Sequence, residues 1–379
     1  MTSLPSRRRF LAAGAGAALG IGTLGATASM AAAAPADTQH DFGAEETRTL
    51  DELYRDALAE GGKLVIYAGG DLANSGSGAG ARAAFRQRFP EIDLNLIVDY
   101  SKYHDVRVDN QLATNTLVPD VVQLQTLHDF TRWKREGRLL HYKPAGFGKL
   151  HRKFKDPDGA WVAGMVIAFS YLYDVAAAGT NAPQTPLDLV DPRWKGAIAS
   201  SYPHDDDAVL YLYALYAETY GWDWVAGLAA QQPKFARGSF SPGTAINNKE
   251  AIIGVGTGGN PTSTGPVRMG MADGHSFMAW GQRIAILRQA ANPTAAKLYL
   301  NWQLSTERQT SNNWSVRTDV APPTGLKPIW EYPNANVDGF PRFMEDRARV
   351  ERLKQTFALY FGEVKGDPTP GWLGLHPGA

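Results

Sequence analysis

Residues 63–67, KLVIY, form a short apolar run, and a loop rich in Gly and Ser follows it at residues 69–80, GGDLANSGSGAG. Such a run, placed after a helical pattern that ends at Gly61 and Gly62, predicts a buried strand. The elements predicted around it are helix 47–60, helix 81–88, strand 93–98, helix 104–113, strand 119–124 and helix 127–136. Strands and helices that alternate at this spacing predict an α/β fold with a parallel sheet covered on both faces.

The pattern changes at residues 159–174, GAWVAGMVIAFSYLYD, which are apolar and extended, and a second extended passage is predicted at residues 277–287. Between them the alternation of strands and helices resumes, and a long amphipathic helix is predicted at residues 342–360. Two extended passages between α/β segments favour two lobes joined by two crossings. We therefore expect a first part of lobe 1 at residues 37–168, lobe 2 at residues 169–276, and a return to lobe 1 with C-terminal helices at residues 277–379.

The first 36 residues resemble a twin-arginine export signal, with Arg7, Arg8 and Arg9 before a weakly apolar run and a small-residue cleavage site. This segment contains three arginines and no acidic residue, so its cleavage changes the formal net charge of the chain from zero to −3. That charge argues against a nucleic-acid partner. The chain has no cysteine, and it therefore lacks disulfides and the cysteine of a lipid anchor. We expect a soluble exported protein, either periplasmic or secreted.

Several phrases in order along the chain resemble a known family. TPLDLVDPRWKGAIASSYP (residues 185–203) and ANPTAAKLYLNWQLSTERQT (residues 291–310) are similar to signatures of the iron(III)-type solute-binding proteins of ABC importers, and GRLLHYKP (residues 137–144) and DGAWVAGMV (residues 158–166) are similar to two others. The resemblance implies a type II periplasmic-binding-protein fold, in which two lobes close on a small solute. It also implies delivery of that solute to an ABC permease in the membrane, and we expect a monomer.

Ligands of open α/β sheets bind beyond the carboxyl ends of the strands, so the loop after KLVIY is the first candidate stretch. Its candidate ligand-binding residues are Tyr67, Gly69, Gly70, Ser75 and Ser77, since backbone N–H groups before a helix can hold an anion. A loop that only caps the helix is an equal alternative. Residues 76–81 also fit G-x-G-x-x-A, which would indicate an exported NAD(P)-dependent oxidoreductase, but the first glycine lies too far past the strand for that motif.

Four further candidate residues follow strands or lie in the second crossing. Gln123 and Gln125 alternate with a core leucine, so one or both are expected to face the cleft. Thr257 offers a hydroxyl in the glycine-rich stretch GVGTGGNPTST. Trp280 can stack on a flat or cationic ligand, although large aromatic side chains are more often core residues.

The remaining candidates lie in SYPHDDD, residues 201–207, and are Tyr202, His204, Asp205 and Asp206. One carboxylate can cap the helix that follows, and acids in the first turn gain about 0.3 to 1 kcal/mol each from its dipole. Three adjacent acids also repel one another, and a cationic ligand or a metal ion would relieve that repulsion. Capping alone and recruitment of a cation both stay open at this stage.

Two alternatives concern the nature of the ligand and the chemistry. The ferric members of the family bind iron through two adjacent tyrosines, and this chain has no Tyr-Tyr pair, so iron or a metal complex is only a second candidate. G-x-S-x-G, H-E-x-x-H and a cysteine nucleophile are also missing from the sequence. We predict a binding protein without enzyme activity, cofactor or metal, whose small polar solute carries a cationic group.

Overall fold

The computed structural model describes residues 43–74 and 76–368, without the side chains of residues 76 and 77. The predicted export signal lies outside these residues. The described strands are β1 Lys63–Gly69, β2 Asp93–Asp99, β3 Val121–Leu124, β4 Val162–Asp174, β5 Ile198–Ser201, β6 Lys234–Ala236, β7 Ile253–Thr257, β8 Val267–Gly270 and β9 Met278–Ile286. The described helices are α1 Leu50–Glu60, α2 Gly76–Arg88, α3 Ser101–Thr114, α4 Leu127–Arg135, α5 Val175–Ala178, α6 Asp207–Tyr220, α7 Trp222–Ala230, α8 Ser241–Asn247, α9 Pro293–Gln303, α10 Thr306–Thr310, α11 Gly339–Glu345 and α12 Arg347–Phe361.

Two parallel groups of strands are joined through two long antiparallel strands. The sheet order is β2-β1-β3-β9-β4-β7-β5-β6, and β8 pairs with β4. The pairs β1/β2, β1/β3, β5/β6 and β5/β7 are parallel, whereas β9 pairs antiparallel with β3 and with β4. The two extended passages expected from the sequence are thus β4 and β9, which lie side by side between the parallel groups.

The strand β4 serves both groups because its pairing changes along its length. Its first part, to Phe169, pairs with β9, and its second part, from Ser170, pairs with β7 and β8 after a register shift between Ser170 and Tyr171. The predicted lobe boundaries at residues 168 and 276 lie close to this shift and to the start of β9. The division into lobes itself stays a prediction.

Apolar side chains pack on both faces of the sheet, as the alternation of strands and helices requires. The tyrosines of α6 belong to this core: Tyr211, Tyr213 and Tyr216 are buried and contact aromatic side chains of α7, α11 and α12. Their helical spacing therefore serves packing. Every helix within residues 43–74 and 76–368 is too short or too polar to span a membrane.

Two helices differ from their predicted bounds, each for a local reason. The helix α2 begins at Gly76 rather than residue 81, so glycines of the expected loop belong to its first turns. The expected long C-terminal helix is divided into α11 and α12 at Asp346, whose carboxylate accepts a hydrogen bond from the backbone N–H of Arg349 at 2.9 Å and caps α12.

Candidate ligand-binding cleft

A cavity of about 560 Å³ lies where the carboxyl ends of the parallel strands meet, and its size is typical of small-molecule sites. Loops after β1, β2 and β3 form one wall through Gly70, Tyr100 and Gln125. Loops after β5 and β6 form the other wall, through Asp205 and Ser239. Neighbouring parallel strands end at the same sheet edge, which explains how residues more than 100 positions apart come to line one cavity.

The floor of the cavity comes from the two long strands and is largely apolar. Met165, Ile167 and Phe169 of β4 lie beside Trp280 and Gln282 of β9. The ring of Trp280 contacts that of Phe169 edge to face, with centroids 5.0 Å apart, and its Nε1 donates to Gln282 Oε1 at 3.2 Å. The floor is therefore apolar, with Met165 and Ile167 partly exposed and with Phe169, Trp280 and Gln282 buried.

Polar contacts cross the cavity between its two walls. Lys102 Nζ donates to Asp205 Oδ1 at 2.5 Å and to the Asp205 carbonyl oxygen at 2.6 Å. Gln125 Nε2 donates to Asp206 Oδ1 at 3.2 Å. The backbone N–H of Phe240 donates to Asp71 Oδ2 at 2.8 Å. These contacts hold the walls together, so the structure describes a closed cleft.

Each acid of the run at residues 205–207 has a partner within the protein. Asp205 pairs with Lys102 and lies 3.6 Å from Arg237 Nε, and Asp207 Oδ1 lies 2.9 Å from Lys354 Nζ. Asp206 caps α6, since its Oδ1 accepts from the backbone N–H groups of residues 208 and 209 at 2.8 and 3.1 Å. The repulsion expected within the run is thus relieved by the chain's own cations and by helix amides, without a ligand.

Asp206 differs from its neighbours because no cation pairs with it. Burial raises the pKa of its carboxyl to about 6, although the hydrogen bonds from α6 and from Gln125 oppose that rise. The charge of Asp207 raises the pKa of Asp206 further. Asp206 is therefore only partly ionised near pH 6.

Asp71, in the loop after β1, is the second cleft acid without an ion pair among the described residues. Its Oδ2 accepts from Phe240 N and, at 3.4 Å, from Ser239 Oγ. Burial raises the pKa of its carboxyl, and these hydrogen bonds only partly oppose the rise. Gly238 allows the close approach, since its φ is +84° and a Cβ there would lie 2.5 Å from Asp71 Oδ2.

Seven of the residues predicted from the sequence line this cavity. They are Gly69, Gly70, Gln125, Asp205, Asp206, Thr257 and Trp280. A Cβ at Gly69 would overlap Ser101 Oγ, and one at Gly70 would lie 2.8 Å from Val98 Cγ1. The glycines therefore let the chain pass close to its neighbours at the cavity edge.

Four predicted residues lie elsewhere. Tyr67 is fully buried, stacks on His104 and accepts a hydrogen bond from Gln111. Gln123 Oε1 accepts from Tyr299 OH at 3.1 Å in the core. Tyr202 stacks on Phe235, and His204 lies edge to face against Tyr202.

Gln123 is the third residue of β3 and lies in the core, whereas Gln125 lies past the end of that strand and lines the cavity from the loop. Tyr202 and His204 turn away from the cavity because the chain bends between β5 and α6. Ser75 and the side chain of Ser77 lie outside the described residues.

The sequence reading missed Asp71, Tyr100 and Lys102. All three follow the same carboxyl-end rule that located the other loops: Asp71 lies two residues past β1, and Tyr100 and Lys102 follow β2 directly. The rule could have found them. The stretch GGDLANSGSGAG was interpreted as an anion-binding loop because of its glycines and serines, and its single aspartate was not among the candidates.

Neither alternative function has its expected geometry in the described residues. The glycines at 76 and 78 lie within α2 and not in a tight turn after β1, as a dinucleotide fingerprint requires. No group of three His, Asp or Glu side chains placed to hold a metal ion occurs in residues 43–74 and 76–368.

Comparison with known proteins supports the family resemblance. Residues 118–252 match the family model for bacterial extracellular solute-binding proteins. A search of curated protein sequences finds no significant match.

Solved structures of similar fold include iron-bound HitA from Pseudomonas aeruginosa, at 16% identity and a TM-score of 0.60, covering 78% of this chain and 99% of that one. The periplasmic binding protein AfuA from Actinobacillus pleuropneumoniae, with fructose-6-phosphate bound, is 19% identical with a TM-score of 0.64, and the match covers 79% of this chain and 99% of that one. The substrate-binding protein of an ABC transporter from Agrobacterium tumefaciens is 15% identical with a TM-score of 0.64, and the match covers 81% of this chain and 97% of that one. The predicted periplasmic-binding-protein fold and the resemblance to solute-binding proteins are confirmed.

Proposed function

We propose that this chain is the solute-binding component of an ABC importer and that it captures a small polar solute with a cationic group in the closed cleft. The observation that carries this proposal is the charge of the cavity wall. Asp71, Asp205, Asp206 and Asp207 line it, and Lys102 is the one basic side chain that lines it among the described residues. Lys102 is already paired with Asp205, so the wall retains negative charge for a solute.

The closed arrangement supports capture rather than surface binding. Contacts from Lys102, Gln125 and Asp71 reach across to residues 205–240, and a solute enclosed between the walls would add contacts available only in this closed state. Ligand-driven closure of this kind is an equilibrium between open and closed forms that the solute shifts. A protein of this design hands its solute on by reopening, which fits delivery to a permease.

The fold does not choose the solute. One protein of similar fold was solved with iron and another with fructose-6-phosphate, so the choice of a cationic solute rests on the residues of this cleft. Export before function, to a periplasm or to the medium, and action as a monomer without catalysis are further parts of the proposal. The anion of a zwitterionic solute would be held at the start of α2, after the loop that follows β1.

The test combines native mass spectrometry of the exported protein with a thermal-shift screen of organic cations, amino acids, sugar phosphates and ferric citrate. We expect a co-purified or added cationic solute to raise the melting temperature by roughly 5–10 °C at 100 times its Kd, without being consumed. Stabilisation only by simple anions or ferric salts would contradict the proposed solute. Turnover of the solute would contradict the proposed binding role.

A further inference from the structure

We propose that Asp71 is the residue that selects the charge of the solute, and that the solute class is an organic ammonium ion whose apolar body lies on the floor of the cavity, beside Met165 and Ile167. This inference rests on the proposed function and makes it more specific. It moves charge selection from the acid run at residues 205–207 to a single aspartate in the loop after β1.

The first argument is the distribution of counter-charges around the cavity. Lys102 and Arg237 neutralise Asp205, and Lys354 neutralises Asp207. Asp71 accepts hydrogen bonds from neutral groups, Phe240 N and Ser239 Oγ, and it forms no ion pair among the described residues. A partly buried carboxylate in that position is stabilised by any cation that enters the cleft.

Asp206 also has no cation partner among the described residues, but its carboxylate already caps α6 and binds Gln125. Its Oδ1 accepts from two amides of α6 and from Gln125 Nε2. A carboxylate oxygen that accepts three hydrogen bonds has little capacity left for a solute donor. Asp71 is therefore the better partner for an ammonium group.

The second argument is the aromatic surroundings. Tyr100 and Phe240 line the cavity, Tyr100 from the wall that carries Asp71 and Phe240 from the opposite wall. Burial raises the pKa of Tyr100, and the negative charge of Asp71 raises it further, which shows that the two side chains lie in one electrostatic environment. An aromatic face next to a carboxylate favours an organic cation, since the ring attracts the charge and the carboxylate neutralises it.

The protein already binds one ammonium group in this way. Lys102 Nζ lies 5.6 Å from the ring centroid of Tyr100 and 5.5 Å from that of Tyr103, with the carboxylate of Asp205 against it. This arrangement at the rim combines the same groups, aromatic rings and an aspartate, that the inner wall offers around Asp71. The inner combination has no protein ammonium, and it borders the apolar floor.

A third observation points to a ligand at the same place. Thr126 is 1% exposed and lines the cavity, and its Oγ1 has no hydrogen-bond partner among the described residues. A buried hydroxyl without a partner is costly. A solute that carries a hydrogen-bond donor or acceptor near its charged end would satisfy it.

The experiment compares two pairs of probes that differ in charge and little in shape. Choline is paired with 3,3-dimethyl-1-butanol, and benzyltrimethylammonium with neopentylbenzene-type uncharged analogues made soluble by a hydroxyl group. Calorimetry on the full mature chain gives the ratio of the two affinities in each pair. We expect the wild-type protein to prefer the cation, and Asp71→Asn to lose roughly 10- to 100-fold of that preference, because asparagine keeps the acceptor for Phe240 N and removes only the charge.

The double variant Lys102→Met, Asp205→Asn is the matched control, because it removes an ion pair from the cleft without changing the net charge. It is expected to weaken cation and uncharged analogue alike and to leave their ratio unchanged. If Asp71→Asn does not fold, as judged by its circular dichroism, Tyr100→Leu takes its place with an expected loss of roughly 3- to 10-fold in the ratio.

The outcomes separate this inference from the proposed function. A cation preference that survives both Asp71→Asn and Tyr100→Leu would overturn the inference while the binding of cations continues to support the proposed function. A protein that binds only anions, or uncharged solutes, would overturn both the inference and the proposed cationic solute. A protein that binds no solute at all would overturn the solute-binding role itself.

Discussion

The acid run at residues 205–207 and the lone Asp71 lie on opposite walls of one cavity, and they differ in what surrounds them. The run has three consecutive carboxylates, yet Lys102, Arg237 and Lys354 supply counter-charges from distant parts of the chain. Asp71 stands alone in the sequence and forms no ion pair among the described residues. The charge available to a ligand depends on what the fold leaves unpaired, and local charge density in the sequence does not show it.

The largest effect on stability is expected when the ion pair between Lys354 and Asp207 is broken, since Asp207 belongs to the acid run. Lys354→Met leaves Asp207 buried without its cation, and both side chains are mostly buried, at 20% and 9% exposure. We expect a loss of about 2–3 kcal/mol in the free energy of unfolding, below the full value for a deeply buried pair. Urea denaturation measures it.

Arg349→Ala is its control, because Arg349 of α12 also pairs with an acid of α6, Glu218, but both side chains are exposed at 39% and 56%. That loss is expected to stay below about 1 kcal/mol. Equal losses in the two variants would show that Asp207 does not depend on Lys354.

A smaller effect is expected from Asp206 and depends on pH. The pKa of Asp206 is raised to about 6 in the folded protein, so the folded state binds more protons than the unfolded state between about pH 4 and 6. Stability contributed by this group is therefore present at low pH and lost as the pH rises through that window.

Asp206→Asn keeps a capping side chain and removes the titration. Relative to the wild type it should gain up to roughly 1–2 kcal/mol between pH 4 and 7, measured by denaturation across that range. A difference between variant and wild type that does not change with pH would contradict the raised pKa.

The smallest effect is expected at the contact that crosses the cleft rim. Lys102→Met removes the ion pair with Asp205, which is partly exposed and so contributes less than about 1 kcal/mol. The expected result is a shift towards the open form without ligand, and a few-fold lower affinity for charged and uncharged solutes.

The chain has no cysteine, so dyes can be attached specifically at Val106→Cys and Leu187→Cys, which are exposed positions at 53% and 48%. Energy transfer between them should fall in Lys102→Met and recover with solute. Unchanged transfer in Lys102→Met would show that the ion pair does not hold the cleft closed.

The fold could be predicted further than the site. Strand and helix positions follow from local periodicity, which is why β1, β2, β4, β9, α1 and α4 lie close to their expected positions. The start of α2 at Gly76 and the division at Asp346 could not be predicted as easily, since helix propensity alone does not fix helix ends and a capping contact decides the start of α12.

Within the site, the sequence predicted the loops that line the cavity, but it did not predict correctly which of their side chains face it. Gln125 and Trp280 line the cavity, whereas Tyr67, Gln123, Tyr202 and His204 do not. Gln125 lies past the end of β3, and Tyr202 and His204 lie in the turn between β5 and α6, so strand alternation does not determine where these side chains lie. The partners of Asp205 and Asp207 lie 103 and 147 positions away along the chain. Local sequence patterns cannot predict ion pairs between residues so far apart along the chain.

The position of Arg237 affects how the protein should be handled in the laboratory. Its Nη1 donates to the carbonyl oxygens of Asp367 and Pro368 at 3.4 and 2.9 Å, beside Asp205 at the cleft rim. A purification tag joined within about ten residues after Pro368 would reach that rim, since at most about 33 Å of extended chain would separate them. A polyhistidine tag there brings metal-binding imidazoles within reach of an acidic cleft, so tests for iron or organic cations are best made with a cleavable tag at the N-terminal end.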